Sequence, residues 1–283
     1  MVSQSVIVSM IFAICLSALA VIVPFVVIFF IAKKRETGMF ASGGLGILAY
    51  FWSQYLLPIP LLFVLTNFSW YMTIYNEESI LYILITAVML SILAGLGRLW
   101  AVWLMNKRTP SLYRAIESGI GFAAFRAMSV IASYLTYVKY ANAVNAGGRE
   151  GLKSILSGDT SQITDADLDK MIKPLTEAKI FDVCMEGVNV IWYVFIEIAL
   201  IVIIYKGLIK KKTWIATLIS TGISFAFSFV TMILGKYIDT GANQFLNNGI
   251  MFACGVVSLW FVLKEIRYYR RINSYGGIPN EVI

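Results

Sequence analysis

The chain has 283 residues, of which 59% are hydrophobic and only 14% charged, and its mean hydropathy is +0.78. Soluble domains carry roughly a quarter charged residues, so that class is excluded and a polytopic membrane protein is indicated. The net charge is +7 and histidine is absent, which excludes a His metal site, a Ser–His or Cys–His pair and an HExxH helix.

Apolar runs long enough to span a bilayer, at about 20 residues each, follow one another along the chain. Residues 5–32 form the first, stopped by Lys33, Lys34 and Arg35; it is too long for a signal peptide and lacks a basic leader. Residues 40–65 form the second, and Pro58 and Pro60 should kink or end it. The third, 79–105, stops at Lys107 and Arg108, and the fourth, 112–137, precedes the one sizeable polar stretch. Runs 187–205, 213–234 and 244–263 complete an all-α bundle of about seven spans. The whole chain, 1–283, reads as a single membrane domain in which 138–186 form an extracytoplasmic loop or lid. Cys15, Cys184 and Cys254 fall in or beside separate apolar runs, show no CxxC spacing and read as membrane-buried small hydrophobes.

The cations alternate in density. Fourteen lie on one face, in the groups Lys33, Lys34, Arg35; Lys107, Arg108, Arg114; Lys206, Lys210, Lys211, Lys212; and Lys264, Arg267, Arg270, Arg271. The opposite face holds seven, spread through longer loops: Lys139, Arg149, Lys153, Lys170, Lys173, Lys179 and Lys236. Short basic loops remain cytoplasmic, so the N-terminus is expected outside and the C-terminus inside a bacterial-type plasma membrane. The basic balance then belongs to topology and to contact with the lipid bilayer, with no nucleic-acid partner expected.

Within the polar stretch, Gly147-Gly148 and Ser157-Gly158-Asp159 are turn signals. Thr164 and Asp167 are spaced as a capping box with Asp for the usual Glu. Leu168, Met171, Ile172 and Leu175 then recur at helical spacing, limited by Pro174. Asp165, Asp167 and Asp169 alternate as in a calcium loop, but Lys170 stands where that loop needs glycine. An acidic helix N-terminus in a lid over the outer surface is the better reading; neither metal nor cofactor is expected.

Three ionisable residues are counted well inside spans: Arg98, Arg126 and Glu197. A charge at that depth costs about 2.5–3.5 kcal/mol on insertion scales, so each should face the bundle and find a partner. One reading is an Arg–Glu bridge joining spans three, four and five. The other is a positive cavity that accepts an anionic group or a partner's carboxylate, while Arg98 also lies near enough to Arg108 to snorkel. Ser91 with Gly95, and Gly119 with Ala123, are small-xxx-small pairs that permit close helix approach, and Gly43-Gly44-x-Gly46 should loosen the start of span two.

Three segments carry a resemblance: Ala94-Gly-Leu-Gly-Arg98, Gly119-Ile-Gly-Phe-Ala-Ala-Phe-Arg126 and Ile215-Ala-Thr-Leu-Ile-Ser220-Thr-Gly-Ile-Ser224. Together they resemble the membrane motifs of the YhfC-type glutamic intramembrane proteases, relatives of the PrsW and CPBP families, from span one through span six. Those motifs are an E-E-x-x-R helix, a G-x-G-H-G-x-x-E helix and an H-x-x-x-D helix. The resemblance implies paired glutamates that activate a water, with His and a further acid to position it and stabilise the oxyanion. Here Ala94 and Gly95 stand for the glutamates, Phe122 for the histidine, Arg126 for the acid, and Ser220 and Ser224 for the last pair.

The expectation is therefore a catalytically dead member, not an enzyme, with no catalytic residues and with Arg98, Arg126 and Glu197 as binding residues. It would act as a binding, scaffold or regulatory partner of another membrane protein or peptide. The alternative is a transporter or transporter subunit with a midplane anion site, although no internal repeat supports it. A lesser alternative is an active intramembrane protease of unusual mechanism. The five motif positions Ala94, Gly95, Phe122, Ser220 and Ser224 should converge on one intramembrane cavity.

Overall fold

The computed structural model describes residues 1–32, 38–77, 79–106, 111–156, 164–237 and 240–274. Lys33, Lys34, Arg35, Lys107 and Arg108, which carry part of the topology argument, and the Ser157-Gly158-Asp159 turn lie outside the described residues. The chain is all-helical, with no strand among the described residues. Its helices are α1 (Gln4–Ala32), α2 (Met39–Phe51), α3 (Pro58–Thr66), α4 (Ser69–Asn76), α5 (Ile80–Asn106), α6 (Leu112–Ile155), α7 (Asp165–Thr176), α8 (Ile180–Ile209), α9 (Thr213–Tyr237) and α10 (Thr240–Ser274). Among the described residues, seven segments are long and apolar enough to cross a membrane: Gln4–Ala32, Phe40–Thr66, Ile80–Met105, Leu112–Ile155, Ile180–Ile209, Thr213–Tyr237 and Ala242–Ile272. Their outward faces carry large apolar side chains such as Phe30, Phe63, Leu218 and Trp260, as helices facing hydrocarbon require.

The chain divides into two compact units, Met1–Ile22 with Arg126–Ile191, and Val23–Phe125 with Trp192–Ile283. The first unit contains most of the polar stretch 138–186, and that stretch is largely helical among the described residues. Helix α6 does not stop near Tyr137 but runs to Ile155, breaking only at Gly147 and Gly148. Gly148 has φ +59° and ψ −133°, a conformation essentially restricted to glycine. The extension forms because its apolar residues have somewhere to go. Val144 and Leu152 join Leu168 and Leu175 of α7, Val183 of α8 and Val2, Val6 and Met10 of α1 in one buried cluster. Helix α8 accordingly starts at Ile180 rather than Gly187.

Two further contacts fix this unit. Asn145 exchanges both hydrogen bonds with the backbone of Val2, whose N–H donates to Oδ1 at 2.7 Å and whose carbonyl accepts from Nδ2 at 2.9 Å. The Thr164–Asp167 capping box is present, with each side chain bonded to the other's backbone N–H. Arg149 forks onto Asp169, and Lys153 reaches Asp165 at 3.4 Å. The three alternating aspartates thus serve a cap and surface ion pairs.

In the second unit, the first half of α6 is buried from Ser111 to Ala124, and α8 is largely buried from Val194 to Tyr205. These two stretches form its centre. Span two is not one helix: between α2 and α3 lies a π-turn, Trp52–Leu56, closed by the Leu57 N–H donating to the Trp52 carbonyl at 3.0 Å. Pro58, which cannot donate, follows directly, and the wider turn absorbs the break it imposes. Cys15 and Cys254 lie on outward-facing positions of spans and Cys184 is half-buried.

Candidate functional site

Arg98 on α5 is 2% exposed, and Glu197 on α8 and Ser224 on α9 close around it. Its Nε donates to Glu197 Oε2 and its Nη2 to Oε1, both at 2.8 Å. Its Nη1 donates to Ser224 Oγ, also at 2.8 Å. The guanidinium lies 5.2 Å from the centroid of the buried Phe122 ring on α6, within cation–π range. Phe122 is packed edge-on by Tyr50 of α2 at 4.9 Å. Burial this complete excludes snorkelling for Arg98. The structure forms the Arg–Glu bridge the sequence offered as one reading, with Arg98 as its cation.

Glycine brings these helices close enough for the cluster to close. A Cβ at Gly95 would run into the Thr221 hydroxyl of α9, and one at Gly119 would fall 2.6 Å from Ile198 Cα, next to Glu197. A Cβ at Gly46 of α2 would collide with the Ser118 backbone of α6, and one at Gly121 of α6 with the Gly43 backbone of α2. The glycines at the start of span two therefore pack α2 against α6 instead of loosening it. Gly97 faces Ser53 of the π-turn, where a Cβ would collide with the serine side chain, so the turn and the arginine lie within one residue of each other along α5.

Of the five motif positions, Phe122 and Ser224 touch Arg98, Gly95 meets the neighbour of Ser220, and Ala94 and Ser220 are buried on α5 and α9. All five belong to the interior of the second unit. Arg126 lies in the first unit and is exposed, which differs from the expectation that every charge within a span faces inward. Sequence reasoning missed Glu117, fully buried on α6 with neither carboxylate oxygen hydrogen-bonded. The signal was visible, because Glu117 sits inside the run 112–137, five residues from its start.

Helices packed through glycine about a buried arginine–glutamate–serine cluster define a multi-span membrane protein with a polar site at depth. The chain matches the family model described as YhfC intramembrane metalloprotease over residues 19–247, and it belongs to that family. No curated protein and no solved structure matches it.

The family corrects one expectation outright. Its description as a metalloprotease points to an enzyme, against the reading of this chain as a non-enzyme. That reading compared Ala94, Gly95, Phe122, Ser220 and Ser224 with the residue set of one glutamic mechanism. Departure from that set is departure from one mechanism.

The metal in the family's description does not fit the residues present. The chain has no histidine, and no three Cys, Asp or Glu side chains gather to hold an ion among the described residues. Glu197, the carboxylate at the cluster, has both oxygens engaged by Arg98.

Proposed function

We propose that this chain, as an intramembrane-protease family member, receives a transmembrane segment or membrane-embedded peptide of another protein at the Arg98–Glu197–Ser224 cluster. The membrane is a bacterial-type plasma membrane, with the basic helix ends towards the cytoplasm. The observation that carries this reading is the unfinished coordination of Arg98. A guanidinium has five N–H groups, and among the described residues the hydrogen bonds to Glu197 and Ser224 use three. Two remain for the carbonyl of a peptide whose own helical bonds have opened, and in a low-dielectric interior such bonds are strong. Glu197 and Phe122 hold the guanidinium plane in place for that contact. In hydrolysis of the bound peptide, the same cation would face the charge developing on the peptide oxygen. A free-anion transport site needs surplus positive charge, and here Arg98 is matched by Glu197.

The test places a benzophenone amino acid at Tyr50 in the full-length protein in lipid nanodiscs and adds synthetic transmembrane peptides. Mass spectrometry reads both crosslinks and new termini. Peptide capture or cleavage is expected, with a loss of about tenfold in Arg98→Lys, which keeps the charge but lacks the planar fork. The reading fails if no peptide is captured or cut, or if Arg98→Lys folds and behaves as the parent.

A further inference from the structure

One end of the second unit is a basic collar made by three elements. Lys210, Lys211 and Lys212 link α8 to α9, and Lys264, Arg267 and Arg270 lie on the last turns of α10; all six are exposed. The elements are tied together locally. Lys206 donates to Glu265 at 2.6 Å, joining α8 to α10, and Tyr113 of α6 packs edge-on against Tyr269 at 5.5 Å. Glu265 is the sole acid within 206–214 and 260–274, and it is buried and bonded to Lys206, so neither stretch carries an exposed carboxylate against its cations.

Two independent features say what this collar meets. Trp214 and Trp260 are exposed beside it, and the Lys264 ammonium sits 5.2 Å from the Trp260 ring centroid. Exposed tryptophans at span ends mark the headgroup level of a bilayer. The second feature is a local rule broken in favour of charge. Helix α8 ends in a Schellman motif, with the Lys212 N–H donating to the Gly207 carbonyl at 2.7 Å and the Lys211 N–H to the Leu208 carbonyl at 3.1 Å. The left-handed position of that motif normally holds glycine, yet here it holds Lys211 at φ +54°. Lys211 thus places its cation on the collar from a position where the backbone favours glycine.

We infer that this collar is a docking surface for anionic phospholipid headgroups, which bind as phosphate esters between the α8–α9 turn and the end of α10. The inference is independent of what enters the Arg98 cluster. The full-length protein reconstituted with brominated phosphatidylglycerol or brominated phosphatidylcholine reports, by tryptophan quenching, the relative binding of the two lipids. The anionic lipid is expected to bind about fivefold more tightly, the effect of roughly one Lys or Arg at a bilayer surface. The preference should fade as salt rises from about 0.1 M to about 1 M. It should vanish in Lys210→Gln/Lys212→Gln/Lys264→Gln/Arg267→Gln and persist in Lys173→Gln, on α7. Lys211→Gly separates recognition from folding: it should raise or preserve thermal stability in phosphatidylcholine while weakening the anionic preference. Equal quenching by the two lipids, or a preference that survives the quadruple substitution, overturns the inference. Loss of the preference to millimolar inorganic phosphate at matched ionic strength would assign the collar to free phosphate and overturn it as well.

Discussion

Two arginine–carboxylate forks with the same geometry occur in this molecule, one in each unit. Arg98 grips Glu197 with both side chains 3% exposed, whereas Arg149 grips Asp169 with side chains 49% and 53% exposed. The first links α5 to α8 inside a membrane bundle; the second ties the end of α6 to α7 on a surface. Removing both ions of the buried pair from water is costly, and their attraction repays this only while both are present. The exposed pair loses little hydration and gains little. Identical contacts therefore have opposite importance. The second unit depends on its ion pair and on glycine-mediated helix contact, while the first depends on the apolar cluster of Leu152, Leu168, Leu175, Val2, Val6 and Met10.

The largest expected effect breaks the buried fork. Glu197→Gln leaves the Arg98 charge uncompensated at depth and should lower stability in mild detergent by about 3–5 kcal/mol. Arg98→Met combined with Glu197→Met should recover most of that loss, because an apolar pair of similar volume needs no partner. A silent Glu197→Gln would show that the two ions are separately solvated and would remove the contrast with the surface fork.

An intermediate effect lies at the cap of α7. Thr164→Ala removes the hydroxyl that accepts from the Asp167 N–H and donates to its carboxylate at 2.6 Å. Protection of the Leu168 amide against hydrogen exchange should fall about fivefold, the effect of a cap worth about 1 kcal/mol. The Thr164 hydroxyl, and then its backbone N–H, hold the Asp167 carboxyl below the usual carboxylate range. A depressed pKa contributes stability above the unfolded value, near 3.9, and that contribution is lost as pH falls through the folded one. Protection of α7 should therefore decline below about pH 4 in the parent and depend less on pH in Thr164→Ala.

Much of the architecture was legible because apolar runs and misplaced charges are expensive to hide. Seven spans, the capping box at Thr164 and the partnership of Glu197 with an arginine all follow from residue types and spacing. Which arginine it would be did not follow, since Arg98 and Arg126 look alike in sequence and only packing buries one and exposes the other. The extension of α6 was hidden because Val144 and Leu152 are isolated apolar residues in a polar stretch; their burial comes from helices distant in sequence. The π-turn before Pro58 was half-legible: proline announced a break but not the wide turn that absorbs it. The glycines at 43 and 46 were read as local looseness because a close approach shows only when the second helix is in place. The family itself was legible in motif order, whereas its activity was not, because missing groups describe one mechanism and leave others open.

The smallest expected effect sharpens the comparison from the other side. Arg149→Gln removes the exposed fork onto Asp169 and the longer contact to Asp165 at 3.9 Å. Lys153 still reaches Asp165 at 3.4 Å, so that carboxylate retains a cation, while Asp169 is left to water it can already reach. The loss should be about 0.2–1 kcal/mol in dilute buffer, read as a small drop in protection of α7 amides. It should shrink further near 1 M salt, where the screening length falls to about 3 Å. The Glu197→Gln loss should be nearly the same at both salt concentrations, because ions do not enter the bundle where Arg98 lies. A large, salt-resistant effect of Arg149→Gln would mean that this fork is shielded from solvent in the membrane-bound protein, and that burial does not separate the two pairs as argued.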